Sequence, residues 1–318
     1  MDKLQFFKRS TDKPAGKGVG EYVNDGNDGI FSEGDYILLF LKSANREELN
    51  GDNFVHVNHI YSDSAYFFIN INPNRSVNHL DSINHLFENF DHTLSSFKQF
   101  EYIEDDRINL LKSGSQWLGD VFDLTNSYNY PFSFTNITDS VNVRVKVVSK
   151  SSFSTAYFNV SLFGETKQIP INSTGSSYYS PVGRSVTSEF DFLSNIDQNL
   201  TVNLNYDNNG SPSSKGYLDF IEVNCKRDLV VDNQQFKFFL PSQIGNSAWT
   251  KVNLSNAQQV DMIWDITDLS NVKEVQFNKN ETELFFITNL NVGKHFIAIS
   301  GTNFQSPQFF KRVNSQNL

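Results

Sequence analysis

Between Gly216 and Val231 the chain reads GYLDFIEVNCKRDLVV, a strand-forming run that follows the polar loop Asp207–Lys215. Strict alternation puts Tyr217, Asp219, Ile221, Val223 and Cys225 on one side and Leu218, Phe220, Glu222 and Asn224 on the other. Neither set is purely polar in its first half, so both faces are expected to be covered in part. Lys226, Arg227 and Asp228 then interrupt the apolar run, and Leu229, Val230 and Val231 resume it. That break is read as a domain boundary.

Short strands separated by turn residues fill the rest of the second half. Val141, Val143, Val145 and Val147 alternate with polar partners, and Thr155–Phe163, Val186–Phe192 and Asn199–Tyr206 continue the pattern. Phe236–Leu240, Val260–Ile266, Val272–Phe277, Leu284–Thr288 and His295–Ser300 repeat it. In the first half, Tyr36–Lys42 is a nearly continuous apolar strand. Phe54–Tyr61 and Ala65–Asn72 read as a hairpin around Ser62-Asp63-Ser64. Leu80, Ile83, Leu86, Phe87 and Phe90 have helical spacing and predict a short helix over Leu80–Phe90. Glu101–Leu124 reads as a linker that turns at Ser113-Gly114-Ser115 and enters a strand at Trp117. The predicted fold is all-β: an N-terminal β-rich domain (1–112), an antiparallel β-sandwich of jelly-roll or immunoglobulin type (113–226) and a third β domain (227–318).

Composition adds bounds to this picture. The chain has 318 residues, 38% hydrophobic and 14% aromatic with 30 Phe, which is ample material for buried cores. Net charge is −10, and the basic pairs Lys226–Arg227 and Lys311–Arg312 stand alone, so no nucleic-acid footprint is expected. No run is long enough to span a bilayer as a helix, and the N-terminal MDKLQFFKRSTDKP lacks the apolar core of a signal peptide. The single Cys225 leaves no intrachain disulfide to form, which fixes no compartment.

Candidate chemistry is sparse. A cysteine nucleophile needs a neighbouring base and an exposed sulfur; Cys225 is mid-strand without a glycine turn, and His295 is the histidine to test as its partner. His56 and His59, three apart on a strand, point to opposite faces and do not predict a shared metal. His79, His85 and His92 lack Cys partners and helical metal spacing. Asp219 with Glu222, and Asp265 with Asp268, are the carboxylate pairs nearest to a glycosidase arrangement, yet strand geometry sends the members of each pair to opposite faces. Asn24–Asp35 (NDGNDGIFSEGD) has EF-hand-like spacing, but Gly26 stands where a side-chain ligand is needed and Asp35 where a bidentate Glu belongs, so a hairpin turn is expected. GKGVG at 16–20 lacks the Lys-Ser/Thr and the strand of a phosphate loop. Trp117, Trp249 and Trp264 are the residues a sugar-stacking platform would use. No catalytic, metal-binding or cofactor-binding residue, and no cofactor, is assigned.

Six stretches resemble, in family order, the region that precedes the peptidase domain in the PorU family of type IX secretion sortases, gingipain-type cysteine peptidases of Bacteroidetes. They are GDYILLF (34–40), NHIYSDSAYFF (58–68), EYIEDDRINLLKSGSQWLGDVF (101–122), GYLDFIEVNCKRDL (216–229), WDIT (264–267) and VNSQNL (313–318). The chain departs from the family at Leu118, where an aromatic is usual, at Asp120, where a Glu is usual, and in the LFLKSAN run, so the resemblance is to a distant member. It implies a surface-exposed protein at the outer membrane. Such a protein removes the C-terminal secretion signal of cargo and links the cargo to anionic lipopolysaccharide. The implied catalytic His and Cys lie in a domain beyond Leu318, and Cys225 does not match that nucleophile. The expected role here is a non-catalytic scaffold or positioning region. Its partners would be the downstream peptidase domain, secretion cargo and other type IX components, with no nucleic acid. The alternatives are a free-standing β-sandwich that binds surface carbohydrate or mediates adhesion, and, ranked last, a small hydrolase built on Cys225 or a carboxylate pair.

Overall fold

A computed structural model describes residues 4–8, 22–24, 33, 36–59, 61–62, 64–71, 80–114, 116–193, 200–243, 248–281 and 283–306. Among these residues there are strands and no helices. Strands are numbered in chain order.

The first half of the main sheet runs β15 (Arg184–Phe192), β12 (Ile137–Lys150), β17 (Lys215–Asp228) and β9 (Ser96–Glu104), with β10 (Val121–Phe122) paired to the start of β17. It faces a second sheet of β11 (Ser127–Pro131), β16 (Thr201–Asp207), β13 (Ala156–Leu162) and β14 (Glu165–Ile171). Alternation explains the core between them. Val141, Val143, Val145 and Val147 of β12 have no exposed surface, and they meet Phe158, Val160, Val202 and Leu204 from the facing sheet.

Beyond β9 the main sheet continues as β18 (Gln235–Leu240), β24 (Lys294–Ser300), β20 (Val260–Asp265), β21 (Lys273–Val275) and β7 (Asp81–Ile83). This half faces β22 (Asn278–Lys279), β23 (Glu283–Asn289), β19 (Trp249–Ser255) and β8 (His92–Leu94). Its core is largely phenylalanine: Phe97, Phe236, Phe238, Phe286 and Phe296 are buried together, with Phe238 and Phe296 stacked at 5.5 Å. The two halves join at β9 and β18 through one residue pair, Lys98 with Phe239.

Three two-stranded pairs stand apart from these sheets. β1 (Leu4–Lys8) pairs with β6 (Phe67–Ile71), β2 (Tyr22–Asn24) with β3 (Tyr36–Leu38), and β4 (Arg46–Asn50) with β5 (Asn53–Val57). Asn24 pairs with Tyr36; the turn expected over Asn24–Asp35 falls on residues outside the described ones, apart from Asn24 and Glu33.

Three expectations are corrected. Phe54–Tyr61 and Ala65–Asn72 do not form a hairpin with each other. β5 pairs instead with the polar strand β4, across a turn in which Gly51 takes φ +63°. The Asn50-Gly51 dipeptide carried that signal. The helix over Leu80–Phe90 is absent: Asp81–Ile83 runs parallel to β21 and His92–Leu94 parallel to β19. Ile83 and Leu94 pack on the second core while Phe87 is exposed, so open sheet edges won over the helical spacing. Finally, the alternation in β17 is reset by a register shift where Lys146 and Val147 of β12 face Phe220 and Leu218. Asp219 is the extra residue of this bulge. Leu218 therefore joins Ile221, Val223 and Cys225 in the core of the first sandwich.

Candidate functional site

The outer face of β17 and β9 is covered by the β4–β5 hairpin, and charged groups lie beneath the cover. Phe54 of β5 packs between Phe100 and Phe239, 4.9 Å from the latter ring and edge-on to it. Asn224 of β17 takes up both backbone groups of Phe54: its Oδ1 accepts the Phe54 N–H at 2.8 Å, and its Nδ2 donates to the Phe54 carbonyl at 2.9 Å. A side-chain amide thus fills the place of a neighbouring strand.

One step along, Glu222 has no exposed surface. Its Oε1 accepts both the His56 N–H at 2.8 Å and His56 Nδ1 at 2.6 Å, and its Oε2 accepts Arg144 Nη1 at 2.5 Å. His56 Nε2 stands 3.0 Å from Glu104. The imidazole stacks on Tyr102 at 4.5 Å and meets Phe220 edge-on at 4.7 Å, and Arg144 lies over the same Phe220 ring at 5.0 Å. Two carboxylates and two cations therefore balance in a covered site when His56 is protonated. Burial alone would lower the His56 pKa, but the hydrogen bonds and charges of Glu104 and Glu222 outweigh it and raise the value to about 9. Burial would likewise raise Glu104, and the bonds from His56 and Asn58 outweigh it to hold that carboxyl low. Both imidazole nitrogens are engaged and the ring is covered, so this histidine cross-links the hairpin to the sheet and offers no lone pair to a substrate.

The bulge also corrects the reading of Asp219 and Glu222 as partners on opposite faces. Asp219 reaches Lys146 Nζ at 2.9 Å and Gln116 Nε2 at 3.2 Å on the side of the sheet where Glu222 meets Arg144. Each carboxylate is matched to a cation. Asp265 pairs with Lys294 at 3.2 Å and accepts the Thr267 N–H, while Asp268 accepts the Ser270 N–H in a turn.

The other candidates are dispersed. Cys225 is buried in the first core, where loss of solvent pushes its thiol up to about 12. His295 packs against Phe54 and Phe239 outside the cores, and burial, with help from Lys42 and Lys237, pushes it down to about 4. Sulfur and imidazole thus lie on opposite faces of one sheet. His59 leaves the hairpin and uses Nδ1 to accept the backbone N–H groups of Tyr61 and Ser62, well apart from the role of His56. His85 meets Trp249 edge-on at 4.8 Å, and His92 pairs in β8. His79, the 16–20 glycines and the 313–318 stretch lie outside the described residues. Trp264 is 2% exposed and forms part of an apolar cluster with Met262 and Ile297, so it cannot present a ring to sugar; Trp117 is 43% exposed.

Sequence reasoning missed Glu104, Arg144, Tyr102 and Asn224. The available signal was polar residues recurring on one side of strands whose two faces are both covered, as in RVKVV and FIEVN. The EDDR…QWLGD stretch has its own order. Arg107 binds Asp105 at 2.5 Å and Asp120 at 2.8 Å, Tyr130 donates to Asp120 at 2.9 Å, and Ile108 bridges Leu118. A Cβ at Gly119 would stand 3.2 Å from the Asp105 carbonyl oxygen, closer than ordinary van der Waals contact, so the loop packs tightly there.

No protein-family model matches this chain, and no curated protein matches it in sequence. Among solved structures, that of dimeric latent PorU from Porphyromonas gingivalis superposes with a TM-score of 0.73 at 13% identity, covering 93% of this chain and 29% of that one. The Cry4Aa toxin of Bacillus thuringiensis gives a TM-score of 0.26 at 13% identity over 70% of this chain and 52% of that one. A cycloisomaltooligosaccharide glucanotransferase of Paenibacillus gives 0.17 at 8% identity over 54% and 40%. The last two scores are too low to carry an argument. The chain folds like part of PorU and spans less than a third of that protein's length.

Proposed function

We propose that this chain is the non-catalytic β region of a PorU-like type IX secretion sortase, acting at the cell surface to support a peptidase domain or to position cargo for it. The observation that carries the reading is the fold likeness over 93% of the chain at a TM-score of 0.73. It is joined by the six stretches that resemble this sortase family in order. The built form of the EDDR…QWLGD loop fits a scaffold role, since Arg107, Asp105 and Asp120 are spent on one another. The placement of Cys225 and His295 on opposite faces of one sheet leaves the cysteine form of the hydrolase alternative without a nucleophile and base in reach of each other.

The test is a calorimetric titration of the purified chain with the isolated C-terminal signal domain of a type IX cargo, alongside a peptidase domain of the same secretion class. Saturable binding to either is the expected result. Binding to neither, together with a tryptophan fluorescence change on adding surface polysaccharide, would replace this reading with the carbohydrate one.

A further inference from the structure

Four connections gather at one end of the first sandwich: the described residues of 108–118 (108–114 and 116–118), 151–155, 172–183 and 208–214. Hydrogen bonds and packing tie them together. The Ser151 carbonyl accepts the Thr174 N–H at 2.7 Å and its hydroxyl at 3.1 Å. Asn209 Nδ2 donates to the Thr155 carbonyl at 3.1 Å. A Cβ on Gly183 would stand 3.4 Å from Leu110 Cδ1 and 2.9 Å from Val148 Cγ1, so the 172–183 loop returns tightly against the 108–118 loop and the sheet.

The 172–183 loop ends in a turn in which the Ser180 N–H donates to the Ser177 carbonyl at 2.9 Å. Its two central residues are Tyr178 and Tyr179, 94% and 90% exposed, with rings edge-to-face at 5.3 Å. Such positions favour Gly, Pro, Asn, Asp or Ser; two tyrosines add nothing to the turn and leave apolar area in water. Gly175, at φ +85°, packs against Ser180 and helps fix the shape. Phe153 stands 76% exposed on the adjoining loop. Exposed tyrosines on a turn among Ser, Thr and Gly are the composition of loops that bind polypeptides.

The charge here runs against that of the molecule. Net charge is −10, yet no Asp or Glu occurs in 108–119, 149–164, 166–188 or 208–218. Lys112, Lys150 and Arg184 are exposed at this end, and none of them is in an ion pair among the described residues. The carboxylates that approach are already engaged, Asp123 by Lys215 and Asp207 by the Asn209 N–H.

We propose that this loop end is a docking surface for an acidic segment of another polypeptide. Tyr178 and Tyr179 are the anchors, and Lys112, Lys150 and Arg184 form the charge-complementary rim. The interplanar angle of 87° between the tyrosines gives no shared flat platform for a sugar ring, which favours a polypeptide over a glycan.

Fluorescence anisotropy on the full chain tests this. The probe is a short fluorescein-labelled peptide alternating Glu with Leu and Tyr; a twin with Lys for Glu and the polymer dextran sulfate serve as controls. The acidic peptide should bind, more weakly as salt rises. Y178S with Y179S, and separately K150E with R184E, should each weaken it about tenfold or more. Thermal melting confirms that each variant is folded, and K112E gives the same readout should a double variant fail to fold. Absence of binding, equal binding of the basic twin, unchanged affinity in folded variants, or preferential binding of dextran sulfate through these residues would each overturn the proposal. It stands apart from the sortase reading: the cargo titration can fail while this assay succeeds, and the reverse.

Discussion

Glu222 is a charge with no contact to solvent, and its cost is offset only because His56 and Arg144 both reach it. Glu222→Gln keeps the shape and removes the anion, leaving Arg144 and His56 short of a partner. A loss of about 3–5 kcal/mol in urea unfolding is expected. The pH dependence follows from the direction of the His56 shift. Its folded value is raised from 6.5 to about 9, so the stabilisation is complete below pH 6.5 and is lost as pH rises through about 9. The full effect is worth about 3 kcal/mol. Glu104 works in the opposite sense: its lowered pKa gives stability that is present above the ordinary carboxylate value and lost on acidification. Unfolding free energies between pH 7 and pH 9 should fall in the native chain and stay nearly flat in His56→Gln. A profile unchanged by His56→Gln would remove this histidine from the account.

The hairpin of β4 and β5 is the element whose attachment depends on these residues. Asn224→Ala deletes two hydrogen bonds to Phe54 and strands a buried N–H and carbonyl, at about 1–3 kcal/mol each. The rest of the sheet keeps its own ladder, so the loss should be local: residues 46–57 should become sensitive to limited proteolysis before the sandwiches do. Cleavage no faster than in the native chain would mean that Phe54 packing alone holds the hairpin. This element also marks how far the sequence could be read. The long strands β12, β13 and β16 were legible because alternate positions are apolar: Val141 to Val147, Ala156 to Leu162, and Val202 to Tyr206. β4, reading REELN, was not, because its stability comes from pairing and from Asn224, Glu222 and Glu104 more than a hundred residues away along the chain or on another strand. The bulge at Asp219 was hidden for a similar reason. One extra residue leaves no mark on hydropathy but exchanges the faces of everything before it.

At the scale of the whole molecule, two cores lie on one sheet and meet at a narrow seam. Arg227 sits at that seam with 3% exposure. It donates to the Thr135 carbonyl at 2.6 Å, to Gln99 at 3.2 Å and to Asp232 at 2.6 Å. Its guanidinium lies between Phe97 of the second core and Phe134 of the first. The polar triplet that looks in sequence like a break between domains thus contains the residue that binds the two cores to each other. Arg227→Met should cost several kcal/mol, about 3–5, and should split a single calorimetric transition into two. A variant that still melts as one unit would shift the coupling to the Lys98–Phe239 pair.

The position of β9 has a consequence for how this chain reaches its shape. β9 ends at Glu104, and its sheet partners begin only at Lys215 and Gln235. A ribosome, or a translocation pore threading the N-terminus first, must release more than half the chain before either edge of this central strand can close. Until then Phe97, Phe100 and Ile103 have no sheet to lie on. Non-local closure of this kind is slow and leaves open edges that invite wrong partners. The late arrival of β17 is therefore the step at which a holding chaperone would matter most.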